Sequence, residues 1–282
     1  MTARSGRPVV ERGITHDVSV DRERGVVTKR FRSWARDEPA REWAALRLLA
    51  ESAPGLAARP ISARLNGEPP EIRMSWLPGE PLGTGPVSRD QARALTRSLD
   101  LLWHSVPPGR LAGLPAGESN QEAFTGQVRQ NLAAGHYLGR DPVVRRAAAA
   151  AAAWLERGAI GGQDLAGSVT VFGQGDANLA NFLWDGRRVR LTDFEDSGPS
   201  ERAFELAILV EHLSAWSDAR LDSGAFVASF ELDAAERARL AQFRRLAALF
   251  WLLHLRPGGQ ASRRNPPGTL RRQAERLLAL LG

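Results

Sequence analysis

Three oxygen-bearing side chains, Asp176, Asn181 and Asp193, fall within the stretch QGDANLANFLWDGRRVRLTDFE at residues 174–195. Asp176 and Asn181 stand five residues apart in a loop of small and polar residues. The apolar run Phe182, Leu183 and Trp184 then reads as a strand, DGRR as a turn, and the alternation of Val189 and Leu191 as a second strand. A hairpin folds the chain back, so Asn181 and Asp193 are expected at neighbouring strand ends. An amide oxygen and a carboxylate at one edge make a hard-oxygen pocket suited to Mg2+, which takes few protein oxygens and leaves room for phosphates. Asp176, on the same loop, would stand close by as base or orienter for an attacking hydroxyl.

A second feature is a solitary ammonium. Lys29 is the only lysine; the other 37 of the 38 basic residues are arginine. Arginine presents a flat fork of donors, whereas lysine presents a compact point charge on a flexible stem. Taken alone, Lys29 reads as well as a chance residue on a solvated strand edge. Glu42 shares a helical stripe with Ala45, Leu46 and Leu49, three, four and seven residues on. A carboxylate at the edge of an apolar face wants a cation; the alternative is an acid placed in a first helical turn to suit the helix dipole.

The elements that must position these groups change character along the chain. PVVERG, DVSVD and GVVTKRF read as strands, and ARPISARLNGEPPEIRMSWLPG as two more around an Asn-Gly/Pro-Pro turn. DEPAREWAALRLLAES reads as a helix between them, with Asp37 or Glu38 at its cap and Pro39 in its first turn. LPGEPLGTGP, ending near residue 86, reads as a linker. Beyond it, 88–105, 119–135, 141–157, 201–216, 233–255 and 269–281 fit helical spacing. The expected fold class is α+β: a small antiparallel sheet with one helix, then a large, mostly helical part holding a buried hairpin.

Composition narrows the function classes. At 282 residues with 43% hydrophobic and 25% charged residues, the chain has ordinary globular values. No apolar run reaches membrane-spanning length and the first residues lack a signal-peptide core, so a cytoplasmic protein with no membrane partner is expected. With no cysteine there is no disulfide or thiolate chemistry. His104, His136, His212 and His254 form no ligand spacing, and no nucleophile elbow appears. The net charge of +6 is scattered arginine without an aromatic-interleaved patch, so no nucleic-acid partner is expected. Residues 193–236 run the other way, with eleven Asp/Glu against two Arg.

The order of these parts resembles the aminoglycoside phosphotransferase family, with the related choline-kinase-like small-molecule kinases. QGDANLAN stands where that family has an H-G-D-x-x-x-x-N loop, and DFE where it has D-[FW]-[EDG]. MSWLPGEPL is similar to its hinge, LLWHSVP to its helix end, and AFELA to its D-L-A helix start; the resemblance runs from about residue 8 to 216. It implies a bilobal protein-kinase-like fold, with residues 1–78 as nucleotide-binding lobe and 79–282 as helical lobe with catalytic loop, metal site and acceptor cleft.

Residue by residue, the resemblance implies Asp176 as the catalytic base and Asn181 and Asp193 as ligands of Mg2+ on the phosphates. Lys29 would contact the α and β phosphates of ATP, or of GTP, with Glu42 as its ion-pair partner. Gly13, the single glycine of ERGITHD, would belong to the nucleotide-covering loop. Met74 would line the adenine pocket, and the backbone of Ser75, Trp76 and Leu77 would hydrogen-bond the base. Gln174 replaces the family's His; with a donor and an acceptor it is expected to brace the loop as well. Glu205 replaces the usual Asp of D-L-A.

The implied reaction is transfer of a γ-phosphoryl group to a hydroxyl of a small molecule. The acidic segment favours a cationic acceptor, an aminoglycoside or another amino-bearing natural product, with Glu195, Asp196, Glu211, Asp218 and Asp222 as candidates to line its cleft. Solvated helix faces are the alternative for each of these acids. The competing functional expectation is a silent, nucleotide-binding relative with a regulatory role. A protein-directed kinase is less supported, because the stretch between DFE and AFELA leaves little room for an activation loop.

Overall fold

A computed structural model describes residues 10–12, 16–115, 120–158 and 168–282; Gly13 lies outside the described residues. Strands β1 (Val10–Arg12), β2 (His16–Asp21), β3 (Val26–Phe31), β4 (Pro60–Arg64) and β5 (Glu71–Ser75) form one antiparallel sheet in the order β1-β2-β3-β5-β4. β3 lies at its centre, with Lys29 between Val18 on β2 and Ile72 on β5. The pleat sends Lys29 and Phe31 inward and Arg30 to solvent. That alternation brings the lone ammonium onto the apolar face that also carries Ile72 and Met74.

Helix α1 (Glu38–Ser52) packs against this sheet and buries Glu42, Ala45, Leu46 and Leu49, the stripe seen in the sequence. Its N-cap is Asp37, held at φ 58° with no side-chain cap bond; the first turn relies on Pro39 and on Glu38, which accepts the Arg36 N–H at 2.9 Å.

The expected linker is stitched down. Strand β6 (Glu80–Pro81) pairs with β8 (Phe182–Trp184), which pairs in turn with β9 (Val189–Leu191). Gly79 makes this possible: its φ is 137°, and a Cβ there would sit 2.9 Å from the Trp184 carbonyl oxygen. A two-residue strand carries too little periodicity to be read from sequence.

The remaining helices are α2 (Arg89–Ser105), α3 (Pro108–Leu111), α4 (Gln121–Ala133), α5 (Pro142–Glu156), α6 (Arg202–Glu211), α7 (Ser223–Ala228), α8 (Ala234–His254), α9 (Gln260–Arg264) and α10 (Thr269–Leu281). Strand β7 (Thr170–Gly173) pairs antiparallel with β10 (Gly198–Glu201). Ser88 and Asp233 close capping boxes with Gln91 and Glu236 at the starts of α2 and α8. α6 is apolar nearly all round and is buried along residues 203–211 against α8. No helix among the described residues is long and apolar enough to cross a membrane.

The helix expected over 201–216 stops at Glu211. The His212 ring nitrogen Nδ1 accepts the Ser214 N–H at 3.1 Å, diverting it from the helical ladder. The chain resumes as a π-turn over Ser214–Asp218, closed by Ala219 N–H to Ser214 O at 2.9 Å. Side-chain interception of this kind leaves no trace in hydrophobic spacing.

Candidate active site

Strand β7 delivers the chain into the loop 174–181. Gly175 takes φ 84°, and a Cβ there would meet the Asp196 carbonyl oxygen at 2.3 Å, so only glycine lets the loop pass beneath residue 196. Gln174 is buried and joins the two loops of the site. Its Nε2 donates to Thr192 O at 3.1 Å and to Asp193 O at 2.8 Å, while its Oε1 accepts the Asp176 N–H at 2.9 Å. The donor and acceptor that sequence chemistry attributed to this residue are both in use.

Asp176 accepts from the Asn178 N–H at 3.1 Å and from Asn181 Nδ2 at 2.9 Å. Burial, and then the charge of Asp193, push its carboxyl up to about 6. Because Asn181 turns its amide nitrogen to Asp176, its oxygen is left for another partner. The hairpin brings Asn181 and Asp193 to adjoining strand ends: Thr192 N–H donates to Asn181 O at 2.9 Å, and Asp193 follows in a left-handed conformation at φ 63°. A non-glycine residue in that region marks local strain, which here turns the carboxylate toward the sheet.

Lys29 meets it there. Its Nζ lies 2.5 Å from Asp193 Oδ1, 2.6 Å from Glu42 Oε2 and 2.9 Å from Glu195 Oε2, with the Phe31 ring centroid at 4.9 Å. Burial would lower its pKa, but the three carboxylates outweigh that and hold it above the ordinary lysine value. Glu42 is raised, first by burial and then by the charges of Asp193 and Glu195 acting against Lys29. Burial would raise Glu195 too, yet hydrogen bonds from His16 and Lys29 hold it down to about 2. His16 Nδ1 is 3.5 Å from Glu195 Oε2.

Three carboxylates surround one ammonium, and Asp176 feels the charge of one of them, Asp193, an excess of negative charge that a divalent cation would relieve. Asn181 and Asp193, brought to adjoining strand ends, would offer oxygen donors only, a chemistry that fits a hard ion such as Mg2+. His16, Asp193 and Glu195 also hold ligand atoms within 4.8 Å of one another; sequence spacing gave no reason to group this imidazole with those acids. His104, His136, His212 and His254 belong to no such group among the described residues.

At the hinge Met74 is buried on β5. Two of the three backbone donors expected there are already engaged: Ser75 N–H bonds Arg59 O at 2.9 Å, and Trp76 N–H bonds Gly25 O at 2.8 Å. Leu77 N–H makes no bond among the described residues. The Trp76 ring is exposed, with Arg22 over it at 5.7 Å.

The acids proposed to line an acceptor cleft do not converge. Glu195 belongs to the Lys29 cluster. Glu211 is fully buried and closed by Arg244 at 2.7 Å and Arg276 at 2.5 Å. Asp222 is exposed and caps α7 through the Ala225 N–H at 3.0 Å; Asp218 is exposed at the end of the π-turn. Only Asp196 lies beside the loop 174–181, 3.3 Å from Arg36, and its charge helps to raise Asp176. Elsewhere in the segment Glu201 pairs with Arg239, and Glu236 with Arg202 at 2.6 Å. The acidity of 193–236 is thus largely cancelled internally by arginines of α6, α8 and α10, which corrects the picture of an acidic wall.

Sequence reasoning gave no part to Arg41 or Ser214. Arg41 Nη1 donates to Glu195 O at 2.9 Å, tying α1 to the loop after Asp193. Ser214 Oγ accepts the Leu179 N–H at 2.9 Å and lies 2.7 Å from His212 Nδ1, tying the loop 174–181 to the π-turn. One signal was available for Arg41, its place beside Glu42; Ser214 had none.

Comparison with known proteins places this geometry in context. The phosphotransferase enzyme family matches residues 10–243. No curated protein matches the chain in sequence. Among solved structures, a choline/ethanolamine kinase family protein from Mesorhizobium loti superposes with a TM-score of 0.63 at 17% identity, over 98% of this chain and 88% of that one. An aminoglycoside phosphotransferase from Alicyclobacillus acidocaldarius gives 0.60 at 18%, over 97% and 90%. A spectinomycin phosphotransferase solved with ADP and spectinomycin gives 0.59 at 11%, over 99% and 87%. At these identities the likeness is one of fold, the bilobal kinase-like fold.

Proposed function

The chain belongs to the phosphotransferase enzyme family, and we propose that it moves the γ-phosphoryl group of ATP, or of GTP, to a hydroxyl of a small molecule. Residues 1–78 would hold the nucleotide and 79–282 the catalytic loop and acceptor. One observation carries the reading: Lys29, held by three carboxylates, pairs with Asp193, whose carbonyl oxygen is bonded by Gln174 of the loop that presents Asp176 and Asn181.

In this reading the acceptor hydroxyl hydrogen-bonds to Asp176, which orients its oxygen toward phosphorus and takes its proton as the new O–P bond forms. The bond from the γ-phosphorus to the β-phosphate oxygen breaks, and the nucleoside diphosphate leaves. Lys29 offsets charge on the phosphate oxygens, kept in place by Glu42 and Glu195. Mg2+, held by Asn181 and Asp193, would supply the remaining charge neutralisation on the phosphates. The base edge would find its donor at Leu77 N–H, beside Met74. Gln174 fixes the loop from behind, which supports a working site over a silent one.

The acceptor we propose is a hydroxylated amine, with aminoglycosides the first class to test. The support is Asp176 and Asp196 at the loop, together with similar structures named for aminoglycosides and for choline or ethanolamine. A product-detecting screen of hydroxylated amines and sugars with ATP and Mg2+ tests this. Turnover on neutral sugars alone would remove the amine preference. Asp176→Asn should lower turnover by about 100-fold or more while nucleotide affinity holds; equal turnover would defeat the assignment.

A further inference from the structure

His212, the residue after α6, holds its imidazole in one proton arrangement. Nδ1 accepts the Ser214 N–H at 3.1 Å, and Ser214 Oγ lies 2.7 Å from the same atom. A backbone N–H only donates, so Nδ1 carries the lone pair and the ring proton sits on Nε2. Burial pushes the pKa down to about 3, which keeps the ring neutral. The ring is partly exposed, and its Nε2–H meets no partner among the described residues. Ser214 Oγ also accepts the Leu179 N–H at 2.9 Å, three residues after Asp176, so this imidazole borders the loop of the proposed base.

A strip of partly exposed rings runs on from it. Trp251 stands edge-on to His212 at 4.7 Å between centroids, and Phe250 stacks on Phe124 at 4.3 Å and on His254 at 3.9 Å. His254 has the opposite polarity. Its Nδ1 lies 2.9 Å from the Phe250 carbonyl oxygen, which only accepts, so here Nδ1 carries the proton and Nε2 the lone pair. Burial, and then the charge of Arg256, lower its pKa, so this ring too is neutral at pH 7.

We propose that His212 is a specificity-determining residue whose Nε2–H donates to a neutral oxygen of the acceptor, while a saturated ring of that acceptor lies along the aromatic strip and a hydroxyl donates to His254 Nε2. The inference rests on the phosphoryl transfer proposed above and narrows its acceptor. An N–H donor offers an ammonium nothing to bond, so the amine must lie away from His212, on the side of Asp176 and Asp196. The rings supply apolar contact for the C–H face of a hydroxylated ring. A small acyclic amino alcohol has neither the face nor the second oxygen to use this strip.

Nitrogen NMR of the imidazoles in the full chain at pH 7, assigned by signal loss in His212→Asn and His254→Phe, should show the proton on Nε2 of His212 and on Nδ1 of His254. Titration with glucosamine and with spectinomycin should move both signals; ethanolamine, the acyclic reference, should leave them in place. Two variants separate recognition from support. His212→Asn sets an amide oxygen where Nδ1 accepts and removes the outer donor, whereas His212→Gln keeps an outer N–H and gives up the inner acceptor. Affinity for the ring-bearing probes should fall about fivefold in His212→Asn and stay within about twofold in His212→Gln; a merely structural role gives the reverse order. Where a probe is turned over, KM should rise with the loss of affinity while kcat holds. Turnover with the proton on Nδ1 of His212, or with affinity unchanged in His212→Asn, overturns this inference and leaves the transfer standing. The expected tautomers and probe shifts without turnover strike the transfer instead. Failure of both ring-bearing probes to bind overturns the proposal. Should His212→Asn not fold, the wild-type tautomers and probe shifts decide.

Discussion

Asp176 is asked to be a base while buried beside another carboxylate. Burial and Asp193 push its pKa up to about 6, and the donors from Asn178 and Asn181 oppose them. A base acts when deprotonated, so kcat/KM should rise with pH up to about 6 and level off above it. His212, held down to about 3 by burial, stays neutral throughout that window and adds no second step. A profile flat from pH 5 to 8 would mean that Asp176 does not take the proton. The residue scale also shows what a sequence can and cannot carry. The meeting of Asn181 with the start of the DFE segment was legible because one hairpin fixes their spacing. Glu195 was misassigned to the acceptor because nothing in DFE says which way its third residue turns; the left-handed backbone at Asp193 decides that.

Helix α1 does two things at once. Leu46 and Leu49 seat it against the sheet, and that seating presents Glu42 to Lys29. Leu46→Ala should cost roughly 3 kcal/mol by removing a fully buried side chain, lowering Tm by about 6–10 °C in a chain of this size. Glu42→Gln should spare the fold yet weaken nucleotide binding about tenfold, since Lys29 loses its closest buried anchor on the helix. A calorimetric melt and a nucleotide titration separate the two effects; a Glu42→Gln chain that binds nucleotide as tightly as wild type would separate the pair from the site. This helix was readable because a 3.6-residue stripe and a first-turn proline coincide. The end of α6 was not, because His212 Nδ1 takes an N–H that spacing assigns to the helix, and β6 was not, because its two residues are fixed by a pairing more than 100 residues away.

Across the whole molecule, electrostatics is a property of partners rather than of segments. Residues 193–236 look strongly acidic in line, yet Glu211 finds Arg244 and Arg276, Glu201 finds Arg239, and Glu236 finds Arg202. Those arginines lie 33 to 65 residues from their partners, beyond the reach of a running charge count. The negative charge left unbalanced gathers instead where the sheet meets the hairpin, around Lys29 and Asp176. A ligand that binds there stabilises both lobes together: nucleotide with Mg2+ at about 100 times its Kd should add about 2.7 kcal/mol and raise Tm by roughly 5–10 °C. The most direct measurement of the central claim is therefore calorimetric titration of ATP with Mg2+ and with EDTA, in the wild-type chain and in Asp193→Ala. Affinity in the wild type should be at least tenfold higher with Mg2+, and that gain should vanish in Asp193→Ala. Equal affinity with and without the ion in the wild type, or an undiminished gain in the variant, would contradict it.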